Sequence, residues 1–248
     1  ILHGLEALED KVLVAALGDP SPRVREHAIV LAEDRLDRAA FRPALARLSG
    51  DPDPRVRYQV AFSLGTVGTA DRQLPLSRLA KRAPADNHLR FAVMSSSLGL
   101  ENGLLRTLLR DRAFLAAKGS SAWLTDCARL AGANPKPTEA VSILRLILGE
   151  PQPAGRRAEL LTALGSGLAR RGESVSGVLA DSATPAPIRA AADRVFRQAV
   201  SNVAQPAASS SDRRGASSCR KLLCCTATNL LSSRPSSAAA SSNRQYED

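Results

Sequence analysis

The sequence predicts an all-α fold, a solenoid of antiparallel helix pairs, and three observations predict it. The motif Gly18-Asp19-Pro20-Ser21-Pro22-Arg23-Val24-Arg25 returns 32 residues later as Gly50-Asp51-Pro52-Asp53-Pro54-Arg55-Val56-Arg57, with only Ser21 and Asp53 differing. A fixed period of this length marks stacked repeats. The chain is 44% hydrophobic but only 3% aromatic, so Leu, Ala and Val must build the core. Repeat arrays manage with such side chains because each unit covers only its neighbours. Finally, no stretch alternates with period two over a convincing length.

The motif reads as a turn between two helices. Gly18 and Gly50 are placed to end the preceding helix in a left-handed C-cap. Ser21 and Asp53 stand at N-cap positions, with Pro22 and Pro54 at the first helical position, where a missing N–H costs nothing. Val24, Ala28 and Leu31 then share one helical face, as do Val56, Val60 and Leu64. A weaker third copy, Ala85-Asp86-Asn87-His88-Leu89-Arg90, puts Asp86 at an N-cap and Leu89 and Val93 on a buried stripe. The partner helices are Leu13 to Leu17, Phe41 to Leu48 and Leu74 to Leu79.

Beyond Leu98 the motif fades but helical periodicity continues. It predicts helices over Leu104 to Leu109, Ala122 to Ala131, Thr138 to Leu148, Arg156 to Arg170 and Pro187 to Val203. Turn-like separators lie at 119–121, 132–137, 149–155 and 182–185. The expected organisation is a helical array over 1–204, clearest over 1–98 and degenerate over 99–204.

After about Gln205 the composition changes to Ser, Ala and Arg. The plain reading of 205–248 is a disordered low-complexity tail. The sharper reading is a change of reading frame near Gly215-Ala216. Both stay open.

The two turn motifs, Asp19 to Arg25 and Asp51 to Arg57, resemble HEAT repeats of the group labelled PBS-lyase HEAT-like. That label describes repeat similarity and not lyase chemistry. The resemblance implies a right-handed superhelix. It also implies a ladder between repeats in which Arg25, Arg57 and Arg90 meet turn aspartates, with Asp19 and Asp51 fitting that role.

A narrower resemblance rests on Leu2-His3-Gly4-Leu5-Glu6-Ala7-Leu8, on Val24 to Ala28 and on Val56 to Gly65. These segments are similar to the HEAT region of bacterial multidomain proteins of the membrane-bound dehydrogenase or heme-binding kind. There a β-propeller precedes the HEAT array and a c-type cytochrome module follows it. The resemblance implies an exported, periplasmic parent protein with oxidoreductase activity. This chain, which opens at Ile1 as if inside a helix, would be a fragment of it. Heme attachment needs Cys-x-x-Cys-His. Cys219, Cys224 and Cys225 lack that spacing and that His, so any heme belongs to a C-terminal module outside this sequence.

The candidate site residues each have a plainer structural reading. His3, His27 and His88 lack a ligand cluster at metal-binding spacing. Gly165-Ser166-Gly167 fits neither a nucleophile elbow nor a phosphate loop and suits close helix packing better. Cys127 and Trp123 read as core residues. Asp51, Asp53, Arg55 and Arg57 are accounted for by capping and the ladder. No catalytic, cofactor-binding or metal-binding residue is therefore assigned, and no transmembrane segment is expected. The expected role is a non-catalytic scaffold or spacer for protein–protein interaction, with a partner protein or adjacent domains as ligands. The alternative is a HEAT-like protein holding nucleic acid in a basic groove, suggested by the net charge of +10.

Overall fold

A computed structural model describes residues 8–134, 136–181 and 184–204. Residues 1–7, with His3, lie outside the described residues. So do residues 182 and 183 of the last separator, and the 205–248 segment with its three cysteines and the suspected frame change.

Thirteen α-helices occupy the described residues, with no strand among them. The first three pairs follow the motif. They are α1 (Asp10–Ala16) with α2 (Pro22–Leu31), α3 (Arg42–Leu48) with α4 (Pro54–Ser63), and α5 (Thr69–Arg82) with α6 (Asn87–Ser95). Then come α7 (Glu101–Leu109), α8 (Arg112–Ala116), α9 (Ser120–Ala133), α10 (Pro137–Gly149), α11 (Ala154–Ala169), α12 (Val175–Ala180) and α13 (Ala186–Ala204). Two rows result. In one, α2, α4, α6, α9, α11 and α13 pack in succession; in the other, α3, α5, α7 and α10 do. This is an all-α helical repeat arrangement. No helix among the described residues is long and apolar enough to cross a membrane.

One continuous core runs between the rows, from Leu13 and Leu17 to Ala192 and Val195. The predicted stripes of α4 and α6 are in it: Val56, Val60, Leu64, Leu89 and Val93 are fully buried. The stripe of α2 is rotated from the prediction. Its buried residues are Arg25, Ala28 and Ile29, while Val24 is 41% exposed. Periodicity finds an apolar face, but Val24 would be covered only by a helix on the far side of α2, and no described helix lies there.

Local chemistry corrects other expectations. Asp53 and Asp86 cap their helices by accepting from the amides of Arg55 and Leu89. Ser21 occupies the N-cap of α2 without such a bond. Gly18 and Gly50 do not enter the left-handed region; among the described residues only Gly99, Gly119 and Gly172 do. Instead each donates its amide back into a tight turn, to Ala15 O and Arg47 O. Helix α5 begins at Thr69 and continues through Pro75. That extension places Arg72 under the turn, donating to the carbonyls of Gly65 and Leu98. Two short helices were not foreseen, α8 and α12, capped by Asp111 and Ser174. Gly132, expected in a separator, lies inside α9.

Candidate functional site

The turn motif builds a buried polar cluster. Pro22 starts α2 so that Arg25, one turn in, points back under its own turn. Its guanidinium donates from Nη1 to the carbonyls of Asp19 and Pro20, at 2.8 and 3.0 Å. From Nε and Nη2 it donates to both oxygens of Asp51 in the next turn, at 2.9 and 2.8 Å. The paired side chains are only 10% and 6% exposed. The hydrogen bonds that Arg25 donates to Asp51, working against burial, raise the pKa of Arg25 above its ordinary value. Asp51 also accepts from the amide of Asp53, which holds its carboxylate facing the guanidinium. A bidentate pair with its remaining donors satisfied is the geometry in which a buried ion pair holds its place.

The expected ladder is therefore real for one rung and then changes. Arg57 repeats the bonds to its own turn, donating to the carbonyls of Asp51 and Pro52. The position where its acid would stand is occupied by Pro84, and Arg57 Nε is buried without a hydrogen-bond partner. Tyr58 takes over the link, donating to Asp86 at 2.5 Å. That bond to Asp86, together with burial, raises the pKa of the tyrosine. Arg90 finds its acid in Asp126, in the middle of α9, at 3.3 Å. The turn motif gives no sign of that partner. Asp19 receives the amide of Ser21 but makes no ion pair among the described residues.

These roles are structural. Asp51, Arg57 and Asp53 are used in tying turns and capping, and Arg55 is exposed. Cys127 is fully buried beside Met94, and burial pushes its thiol pKa up, away from reactivity. Trp123 is fully buried, and its indole N–H donates to Pro84 O at 2.8 Å. His27 and His88 are exposed on α2 and α6. Among the described residues no three His, Cys, Asp or Glu side chains cluster as metal ligands. Gly165 and Gly167 lie within α11, where Gly167 packs against the backbone of α9.

What remains on the surface is a row of exposed positions that the sequence reading missed. Helices α2, α4 and α6 are neighbours. Each leaves an outer face at i, i+3 and i+4 spacing free of the core. On α2 that face carries Arg23, His27 and Val30; on α4, Arg55 and Phe62; on α6, His88 and Phe91. Phe62 and Phe91 are 56% and 61% exposed, in a chain with only five phenylalanines. The Arg90 guanidinium lies 5.0 Å from the Phe91 ring centroid. Polar or basic groups thus stand at the start of each helix, with aromatic or aliphatic groups further along it. The missed signal was in the periodicity: Phe62 and Phe91 fall outside the stripes that place Val56, Val60, Leu89 and Val93 in the core.

No curated protein and no solved structure matches this chain. Residues 10–95 match the family model for HEAT repeats.

Proposed function

We propose that the chain is a non-catalytic interaction module whose ligand is a protein. The observation that carries this is the outward display of Phe62 and Phe91 on adjacent helices of a HEAT-repeat array. Exposed aromatics flanked by basic groups are the composition of protein-binding surfaces, where aromatic side chains act as anchors. A repeat array holds such anchors at fixed spacing on a rigid face.

The setting we propose is a spacer in a larger, exported bacterial dehydrogenase-like protein that binds heme elsewhere. Its support is the sequence similarity described above. In that setting the ligand of the surface is an adjacent domain of the same polypeptide, and the oxidoreductase chemistry belongs to the other domains. The gene tests it. Reading frames encoding a β-propeller before this segment and Cys-x-x-Cys-His after it are expected; finding neither removes the setting and leaves the module.

The surface itself is tested by capture of partner domains expressed from the same gene. Phe62→Ala with Phe91→Ala is expected to weaken capture by at least about tenfold, since truncating an anchor costs about 2 kcal/mol. Unchanged capture would remove this face from the function. Duplex DNA serves as the competing ligand. Strongly salt-dependent DNA binding that survives the double substitution would favour the nucleic-acid reading instead.

A further inference from the structure

The two copies of the motif allow the same positions to be compared in two environments. Val56 of α4 is fully buried, whereas Val24, its counterpart on α2, is 41% exposed. Ala44 of α3 is 8% exposed, whereas Val12, its counterpart on α1, is 48% exposed. Ala16 and Leu31 are half-buried, while their counterparts Leu48 and Ser63 are buried. Three of the four pairs stay apolar, Ser63 being the polar exception, and the cover differs at all four. In the second repeat the cover is the first repeat, through the packing of α2 on α4.

The uncovered positions form a groove of about 320 Å³ between α1 and α2, lined by Leu8, Val12, Ala16, Val24 and Leu31, with Arg23 and His27 at its polar edge. A second feature points the same way and is independent of apolar area. Asp19 is held in the same turn as Asp51, each carboxylate accepting the amide two residues on, at 2.8 and 2.9 Å. Asp51 presents its free edge to Arg25 of the preceding repeat. Asp19 presents the same edge with no ion-pair partner among the described residues. An apolar groove in inter-repeat register, beside a carboxylate already oriented for an arginine, has the chemistry of one more repeat and not of a general hydrophobic ligand.

We propose that the α1–α2 end of the array is an inter-repeat docking surface. Its occupant is a further helix pair of the same kind, on the N-terminal side of α1 in the same polypeptide. The second helix of that pair carries an arginine, one repeat length before Arg25, that closes on Asp19. The inference stands apart from the domain setting proposed above, because it depends only on the register of this end face.

The test keeps the whole chain and supplies the occupant from its own sequence. A tandem duplication, residues 1–41 followed by 10–248, sets a copy of the first repeat in register ahead of the original. With Cys219, Cys224 and Cys225 changed to Ser, the one remaining native thiol is that of buried Cys127. Val24→Cys then reports the face by maleimide labelling, and Val12→Cys repeats the measurement at a second position. In the unduplicated parent chain both label rapidly, at a rate independent of protein concentration. In the duplicated chain the original copy's positions are expected to be protected about 100-fold, as for groups that react only after local opening. Arg25→Ala in the added copy should return about a tenfold part of that protection. Equal labelling rates in parent and duplicated chains, with or without added helix by circular dichroism, overturn the proposal. Protection in the parent that grows with its concentration also overturns it, since the occupant is then a second copy of the chain.

Discussion

The two halves of the array tie neighbouring repeats together by different means. Between residues 10 and 95 the link runs through turns, where the side chain of one repeat reaches the acid or carbonyls of the next. Arg25 meets Asp51, Tyr58 meets Asp86, and Arg47 donates to Leu17 O. Beyond residue 100 such side-chain links continue, from Arg110 to Glu150 and from Arg171 to Asn134 O, but α9 and α11 add direct backbone contact. Helices α9 and α11 cross so closely that a Cβ on Gly167 would lie 2.1 Å from Arg129 O, and one on Gly132 would lie 2.4 Å from Leu164 O. Long side chains bridge a gap in the first half; at the α9–α11 crossing of the second, small ones remove it. A polar bridge tolerates small shifts in helix position, while a glycine crossing fixes it.

The comparison breaks most sharply at the Arg25–Asp51 pair. Asp51→Ala leaves a buried guanidinium without its acid and is expected to cost about 3–5 kcal/mol, read by urea denaturation. Replacing both partners by apolar residues, Arg25→Met with Asp51→Leu, should recover much of that loss. A single substitution costing under about 1 kcal/mol would show that the turn rung contributes little to holding the first half. The matching change in the second half is Gly167→Ala, which forces α9 and α11 apart and is expected to cost about 3 kcal/mol. Gly165→Ala is the control on the same helix. Its Cβ meets only Val175 Cγ2, at 3.4 Å, and alanine is the better helix former by about 1 kcal/mol. The pair should therefore move thermal stability in opposite directions.

Within the first half, Val24 and Val56 occupy one register under different cover. Val56→Ala is expected to cost about 2 kcal/mol and Val24→Ala less than about 0.5 kcal/mol. Equal costs would mean that Val24 is packed in solution and not exposed.

How much of this was legible in the sequence follows from the same contrast. The Arg25–Asp51 rung was visible because the motif repeats and a charge keeps its place in a turn. Its interruption at Arg57 was not, because that depends on what faces Arg57 from the third turn, where the motif has already decayed. Asp126 was invisible as the acid for Arg90, since it comes from the middle of a helix. The glycine crossing was only half legible. Gly165-Ser166-Gly167 suggested close packing, but nothing in the sequence pairs Gly167 with Gly132 or separates its role from that of Gly165. The α8 and α12 segments are too short for periodicity to register, and only their capping residues, Asp111 and Ser174, mark them. The exposure of Val24 was beyond a pattern argument, because an amphipathic stripe records the face and not whether a neighbour covers it.

The smallest effects lie at the helix starts, and they separate side chains that look alike in sequence. Asp53→Ala removes an accepted amide bond and should cost about 1 kcal/mol. Ser21→Ala, at the same register without that bond, should be close to neutral. Asp111 caps α8 in the second half and adds a charge partner. The hydrogen bond from Lys81 and the amide of Phe114 hold its carboxyl below the usual carboxylate range. A depressed folded pKa contributes stability that is fully present above the unfolded value, about 4, and is lost as pH falls through the folded value. Asp10 behaves alike in the first half, held down by Arg38 and Arg35. Denaturation midpoints should thus be flat from about pH 7 to 5 and fall below about pH 4. Asp111→Asn should lower the plateau slightly and make the acid limb shallower, because asparagine keeps an accepting oxygen for Phe114 but has no proton to gain. An acid limb of unchanged slope in both Asp111→Asn and Asp10→Asn would place the acid-sensitive carboxylates elsewhere in the array.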